Sequence, residues 1–131
     1  EVVFTRDTHF ENYADTQEGK KLPIPHCIKG TNGWQINSKL KNLIKPETKI
    51  FDKITFGSTE LTEYLKNNKE LEKVTLAGLC TDICIISNAL LIKANLPEVE
   101  IEVLENCCAG VTPESHINAL NAMKMCQISV K

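Results

Sequence analysis

Val74-Thr75-Leu76-Ala77-Gly78-Leu79-Cys80-Thr81-Asp82-Ile83-Cys84 is the stretch on which the fold turns. Val74 to Gly78 is an apolar run of strand length closed by a glycine. Thr81 stands where a hydroxyl can cap a helix, predicted from about Asp82 to Asn95. Downstream, Val99 to Leu104 reads as another strand. Thr112-Pro113-Glu114 is a strong helix start, with proline at the first helical position, and that helix runs toward Met125. Cys126 to Val130 closes the chain as a strand. Upstream, Lys49 to Lys53 is a short strand, followed by a helix capped at Ser58 or Thr59 with Leu61, Tyr64 and Leu65 at helical spacing. Glu1 to Thr5 gives the first strand, and its continuous Val2, Val3 and Phe4 suggest cover on both faces. Strands alternating with helices predict a three-layer α/β/α domain with a mainly parallel sheet. In such sheets, sites lie at the carboxyl ends of the strands, here after Thr5, Phe51 and Gly78.

The composition agrees with a single domain over residues 1–131. The chain has 131 residues, 42% hydrophobic and 24% charged, with a formal net charge of -2. That balance excludes disorder, and the lack of a basic surplus argues against nucleic acid as a partner. No apolar run approaches the roughly 18–20 residues needed to cross a bilayer, so a cytoplasmic protein without a membrane partner is expected. The six cysteines lie largely in apolar segments such as Cys84-Ile85-Ile86, without the spacing of a disulfide scaffold or a zinc knuckle.

Three constellations carry chemistry. Cys84, in the first turn of a helix that follows a strand, would meet open backbone N–H groups and the positive end of the helix dipole. Those features lower a thiol pKa and stabilise an oxyanion, although a small packing cysteine fits the same position. Asp7-x-His9, with Glu18 and His26 in the long polar stretch from Arg6 to about Pro46, forms an oxygen and nitrogen set suited to zinc, manganese or iron; solvated loop side chains are the alternative. Lys53, ending a strand, is either solvated or placed to stabilise a thiolate. Cys107 and Cys108 follow a strand end and read as structural, and His116 as a surface or helix-packing histidine.

Together, Thr5-Arg6-Asp7-Thr8-His9, Pro25-His26-Cys27-Ile28-Lys29-Gly30-Thr31, Lys53 with Phe56-Gly57-Ser58, and Gly78 to Cys84 resemble the isochorismatase-like cysteine hydrolases, in particular their nicotinamidases. The resemblance implies a Rossmann-like strand order and hydrolysis of nicotinamide to nicotinate and ammonia through a cysteine thioester, a step of NAD salvage. It implies Cys84 as nucleophile, Lys53 as its cationic partner, and a cis Leu79–Cys80 peptide that turns the Cys80 and Cys84 N–H groups into an oxyanion hole. Asp7, His9 and His26 would bind a divalent ion, zinc first among the candidates, with Glu18 as fourth ligand and Asp15 as its alternative. A homo-oligomer is also implied. The family's general-base aspartate lies on a strand before the first one here, and none of Asp7, Asp15, Asp52 and Asp82 matches it. The resemblance therefore implies either a fragment of a longer chain that lacks its first strand and its base, with exposed sheet edges, or a domain without its base. Two other readings remain: a relative acting on a different small amide or ether, and a non-catalytic thiol-bearing domain.

Overall fold

The computed structural model describes residues 1–131. Its elements run β1 (Phe4–Asp7), α1 (Gln17–Lys21), β2 (Ile50–Lys53), α2 (Thr59–Lys66), β3 (Lys73–Leu79), α3 (Ile86–Asn95), β4 (Glu100–Ala109), α4 (Pro113–Met125) and β5 (Ser129–Val130). Every strand pairing is parallel, and the strands form two sheets, β1-β2 and β3-β4-β5. The fold is thus α/β with parallel sheets joined through helices. No helix is long and apolar enough to cross a membrane.

The chain divides into two compact units, residues Glu1–Thr55 and Phe56–Lys131. In the first, β1 and β2 run in register from Phe4 opposite Ile50 to Asp7 opposite Lys53. The first strand therefore begins and ends later than the apolar run suggests: Val2 is exposed, and the strand residues are half-buried rather than covered on both faces. Register with β2 decides this, since backbone pairing outweighs the preference of two valines for a strand. Beyond Thr8, a parallel bridge between His9 and Ile28 carries the line of β1 onward. The stretch expected to be a long loop contains α1 and three 3₁₀ turns, Tyr13–Asp15, Asn32–Trp34 and Ser38–Leu43. Each is too short to leave a 3.6-residue apolar period in the sequence. The only buried hydrophobic residue of this unit is Tyr13, alongside buried Thr8, His9 and Lys53. Its interior is largely polar.

The second unit holds the apolar core. Leu61 and Leu65 of α2, Ala89 and Ile92 of α3, Ile101 and Val103 of β4, and Ala119, Leu120 and Met123 of α4 are buried. Burying a side chain of the Ile, Val or Met kind contributes about 1.5–3 kcal/mol. The helices pack α2 on α3 and α3 on α4, while α4 also lies against β4 and β5. Ser58 caps α2 by accepting the Leu61 N–H at 3.1 Å. Thr112 and Ser115 close a capping box on α4, with Pro113 in the first turn.

Three boundaries differ from the sequence reading. The fourth strand continues to Ala109, so Cys107 and Cys108 lie inside it rather than after it; a register shift between Leu76 and Gly78 of β3 lets β4 resume pairing at Cys108. The fifth strand shrinks to Ser129–Val130 because Gln127 takes a positive φ of 65° at the end of α4. The helix expected from Asp82 opens instead with a π-helical turn, Thr81–Ile85, before regular α3 begins. None of the six cysteines is buried, and Cys107 and Cys126 are exposed, so the packing role expected for the thiols is not a core role.

Candidate active site

In the first unit, β1 delivers Asp7 and then His9 just past its end, while the bridge to Ile28 brings the His26 segment beside them. His9 donates its backbone N–H to the Cys27 carbonyl at 3.0 Å, and Lys29 donates back to the His9 carbonyl at 2.9 Å. Cys27 turns the chain with a φ of 48°. One ligand atom from each of Asp7, His9 and His26 lies within 4.8 Å of the others. Glu18 joins them from α1, with Oε1 3.6 Å from His9 Nε2 and 3.4 Å from His26 Nε2. Asp15, the alternative fourth ligand, is exposed in the turn before α1.

The donor chemistry fits a divalent cation. His26 Nδ1 lies 2.9 Å from the Ile24 carbonyl, an oxygen that only accepts, so Nδ1 donates there and Nε2 is the ring nitrogen turned toward Glu18. His9 Nε2 is buried with no hydrogen-bond partner, an arrangement that costs free energy unless something completes it. Two imidazole nitrogens and two carboxylates make the mixed set that zinc, manganese and iron accept.

Tyr13 organises this cluster and is not singled out by the sequence. Its ring meets His9 edge-to-face at 4.8 Å between centroids and His26 at 5.2 Å, and its hydroxyl donates to the Leu22 carbonyl at 2.9 Å. Burial, with the neighbouring Glu18 and Asp7 charges, raises its phenol pKa. Thr8, between the two β1 ligand candidates, is also buried; its hydroxyl accepts the Trp34 indole N–H at 2.9 Å, and the Arg6 guanidinium stacks 3.5 Å above the Trp34 ring. The only sequence signal for these residues is an aromatic among polar neighbours, too common in loops to stand out.

Lys53 is buried rather than solvated, and its ammonium is hydrogen-bonded to Asp7 Oδ1. The paired register of β1 and β2 puts the two residues opposite one another. A buried ammonium needs such a partner. Asp52, one residue earlier, faces outward and accepts the Arg6 Nε–H at 2.8 Å.

In the second unit, β3 ends at Leu79 and the Leu79–Cys80 peptide is cis. Gly78 just before it has a φ of 132°, a conformation that suits glycine. Cys84 sits in the π-helical turn, where Ile85 donates its N–H to the Cys80 carbonyl at 3.0 Å. Cys80 and Cys84 are both half-buried. Thr81 does not cap the helix as expected; its hydroxyl is 2.7 Å from His116 Nδ1, and the cap position falls to Cys80 without a side-chain bond. His116 is half-buried and bonded to this turn. Asp82 accepts the Val111 N–H on both carboxylate oxygens, at 3.2 and 3.1 Å. Desolvation pushes the Asp82 carboxyl upward, but hydrogen bonds from Ser115 and the backbone and the nearby His116 outweigh it and hold the pKa below the ordinary value.

Asn88, one turn further along, is buried and serves three backbone groups. Its Oδ1 accepts the Ser58 N–H at 2.9 Å, and its Nδ2 donates to the carbonyls of Cys84 at 2.8 Å and Phe56 at 3.2 Å. A lone asparagine inside a helix gives no sequence signal for such a role. Partial desolvation raises the Cys108 thiol pKa.

The isochorismatase domain family model matches residues 1–130. Among curated proteins, an uncharacterized isochorismatase family protein, PncA, of Bacillus subtilis is 31% identical over 128 residues, which cover 92% of this chain and 68% of that protein. A solved nicotinamidase/pyrazinamidase PncA from Bacillus subtilis superposes with a TM-score of 0.82 at 28% identity, covering 98% of this chain and 73% of that one. The Pyrococcus horikoshii pyrazinamidase, solved in complex with zinc, shares the fold at a TM-score of 0.77 and 23% identity, over 99% of this chain and 74% of its own.

Proposed function

The chain belongs to the isochorismatase domain family, and we propose that within it this protein is a metal-dependent nicotinamidase, converting nicotinamide to nicotinate and ammonia as a step of NAD salvage. The observation that carries the reading is the Asp7, His9 and His26 cluster, in which His9 Nε2 is buried without a hydrogen-bond partner. Such a set of imidazole and carboxylate groups suits a divalent ion that could help to hold a substrate. The likeness in fold to the Bacillus subtilis nicotinamidase supports the same substrate class.

In this mechanism Cys84 is the nucleophile, and its thiolate attacks the carboxamide carbon. The backbone N–H groups of Cys80 and Cys84 receive the developing oxyanion. The proton released when the Cys84 thiol ionises passes to the amine, ammonia leaves as the C–N bond breaks, and water then cleaves the thioester to release the acid and restore the thiol. Lys53 is the proposed cationic partner of the thiolate, and its ammonium is hydrogen-bonded to Asp7. Asp7, His9, His26 and Glu18 are the residues that would hold the ion, with zinc the first candidate. Bound there, a divalent cation would act as a Lewis acid toward a pyridine nitrogen and so orient the ring. The four aspartates have other engagements: Asp7 is hydrogen-bonded to Lys53, Asp52 to Arg6 and Asp82 to the Val111 N–H, while Asp15 is exposed.

Ammonia release from nicotinamide, measured in the full-length protein against a panel of other small amides and before and after chelation, tests this reading. Preference for nicotinamide and loss of turnover on chelation, restored by added zinc or manganese, are expected. Undiminished turnover after complete metal removal would reject the role of the cluster, and preference for a different amide would reject the substrate.

A further inference from the structure

Thr81 and His116 are 35 residues apart, yet they form a part-buried polar contact at the turn that carries Cys84. Thr81 is 0% exposed, so its hydroxyl depends on this partner. We propose that His116 is a positioning residue: by hydrogen-bonding Thr81 it holds the π-helical turn Thr81–Ile85 in the one conformation that presents the Cys84 sulfur. The proposal rests on the reading of Cys84 as nucleophile.

The turn has a physical need for such a tie. A π-helical turn closes through wider hydrogen-bonded loops than an α-helix, and it survives where outside contacts favour it. Here the contacts come from two sides. At its start, Thr81 is tied to His116 and Asp82 is tied through both carboxylate oxygens to the Val111 N–H. At its end, the Cys84 carbonyl accepts from Asn88. The turn is therefore held ahead of the sulfur-bearing residue and at that residue's own carbonyl.

His116 itself is held in place by backbone geometry. It lies in the first turn of α4, whose start is set by the Thr112 and Ser115 capping box and by Pro113. Gly110 allows the approach: a Cβ there would come within 2.9 Å of the His116 Cα, Cβ and backbone nitrogen. Any larger residue there would crowd the His116 backbone. The segment from Gly110 to His116 thus acts as a rigid support for the nucleophile turn, reading its position through two adjacent side chains.

Misplacing a reacting atom by about 1 Å costs on the order of 100-fold in rate. The test compares wild type, His116→Ala and His116→Asn, since the asparagine amide can replace Nδ1 as partner to Thr81. Two readouts are taken: kcat and KM for nicotinamide, and the rate of Cys84 alkylation by iodoacetamide, followed by peptide mass spectrometry against exposed Cys126 in the same molecule. Loss of about tenfold or more in kcat at unchanged KM is expected for alanine, with a parallel fall in Cys84 alkylation and none at Cys126, and most of both returning in the asparagine variant. Equal Cys84-to-Cys126 alkylation ratios in wild type and His116→Ala, or equal impairment in alanine and asparagine variants, would overturn the proposal. If His116→Ala does not fold, Thr81→Val removes the same hydrogen bond from the other side and is expected to reproduce the fall; an unchanged Cys84 rate there would likewise overturn it. Absence of nicotinamide turnover in wild type, with Cys84 alkylation still falling in alanine and recovering in asparagine, would refute the nicotinamidase reading and leave the positioning role standing. The reverse pattern, turnover with no response of Cys84 to His116, would do the opposite.

Discussion

Asn88 holds the second unit together with a single buried amide. Its Oδ1 receives the Ser58 N–H, and its Nδ2 reaches two carbonyls, one of them that of Cys84. Ser58 is itself buried, so removing the acceptor leaves a buried N–H unsatisfied. Asn88→Ala is expected to destabilise the protein by about 2–4 kcal/mol, read as a shift in the urea midpoint without a change in slope. A change below about 0.5 kcal/mol would mean that water replaces the amide. Residues of this kind mark the limit of the sequence reading. Asp7, His9, Lys53 and Cys84 announce themselves because their chemistry is uncommon at strand ends and helix starts. Asn88, Thr81, His116 and Tyr13 have ordinary chemistry, and only their partners, distant in sequence, give them work to do.

Among the elements, α1 is the instructive case. It is five residues long, far below the length at which a helix is stable alone. It exists because Thr16 caps it by accepting the Gly19 N–H at 3.0 Å, and because Gly19 lies flat against the Tyr13 carbonyl. A Cβ at Gly19 would overlap that backbone, which cannot swing aside as a side chain could. Gly19→Ala should therefore cost about 1–3 kcal/mol and move Glu18 away from the two histidines, weakening zinc binding. Isothermal titration with zinc and a denaturation curve measure both effects; wild-type affinity in the variant would show that Glu18 is not a ligand. The π-helical turn is the other case. The sequence marks a helix start there, but one extra residue per turn leaves no trace in apolar spacing. The ties of Thr81, Asp82 and Asn88 decide it.

For the molecule as a whole, the clearest prediction concerns pH. Asp82 titrates below the ordinary carboxylate value, and so does Glu102, through its hydrogen bond with Lys73 on the facing strand. Lowered carboxyl pKa values mean that the unfolded chain binds protons first as the pH falls. Their stabilisation is present above the ordinary carboxylate range and lost as the pH drops through the lowered values. Lys73 is raised by the Glu102 hydrogen bond, so its share persists across neutral pH and is lost only as the pH climbs above the ordinary lysine value. The Lys73 pair is exposed enough for solvent to screen it, which leaves Asp82 as the group to test. Thermal melts of wild type and Asp82→Asn should differ at pH 6–7 and converge below about pH 4; a difference independent of pH would show that the carboxylate charge is not what matters.

The order of amino acids sets the local grammar: parallel strands alternating with helices, the glycine-ended β3, the capped starts of α2 and α4, and the clustering of acid, imidazole and thiol at strand ends. These follow from short-range propensity and from the apolar pattern, which act over a few residues. The folded chain had to supply the register that sets Lys53 on Asp7, the length of β4 through Cys107 and Cys108, the polar interior around Tyr13, and the partnership of Thr81 with His116. Those contacts join residues tens of positions apart, and no local preference selects between one distant partner and another; packing and the need to satisfy buried polar groups do.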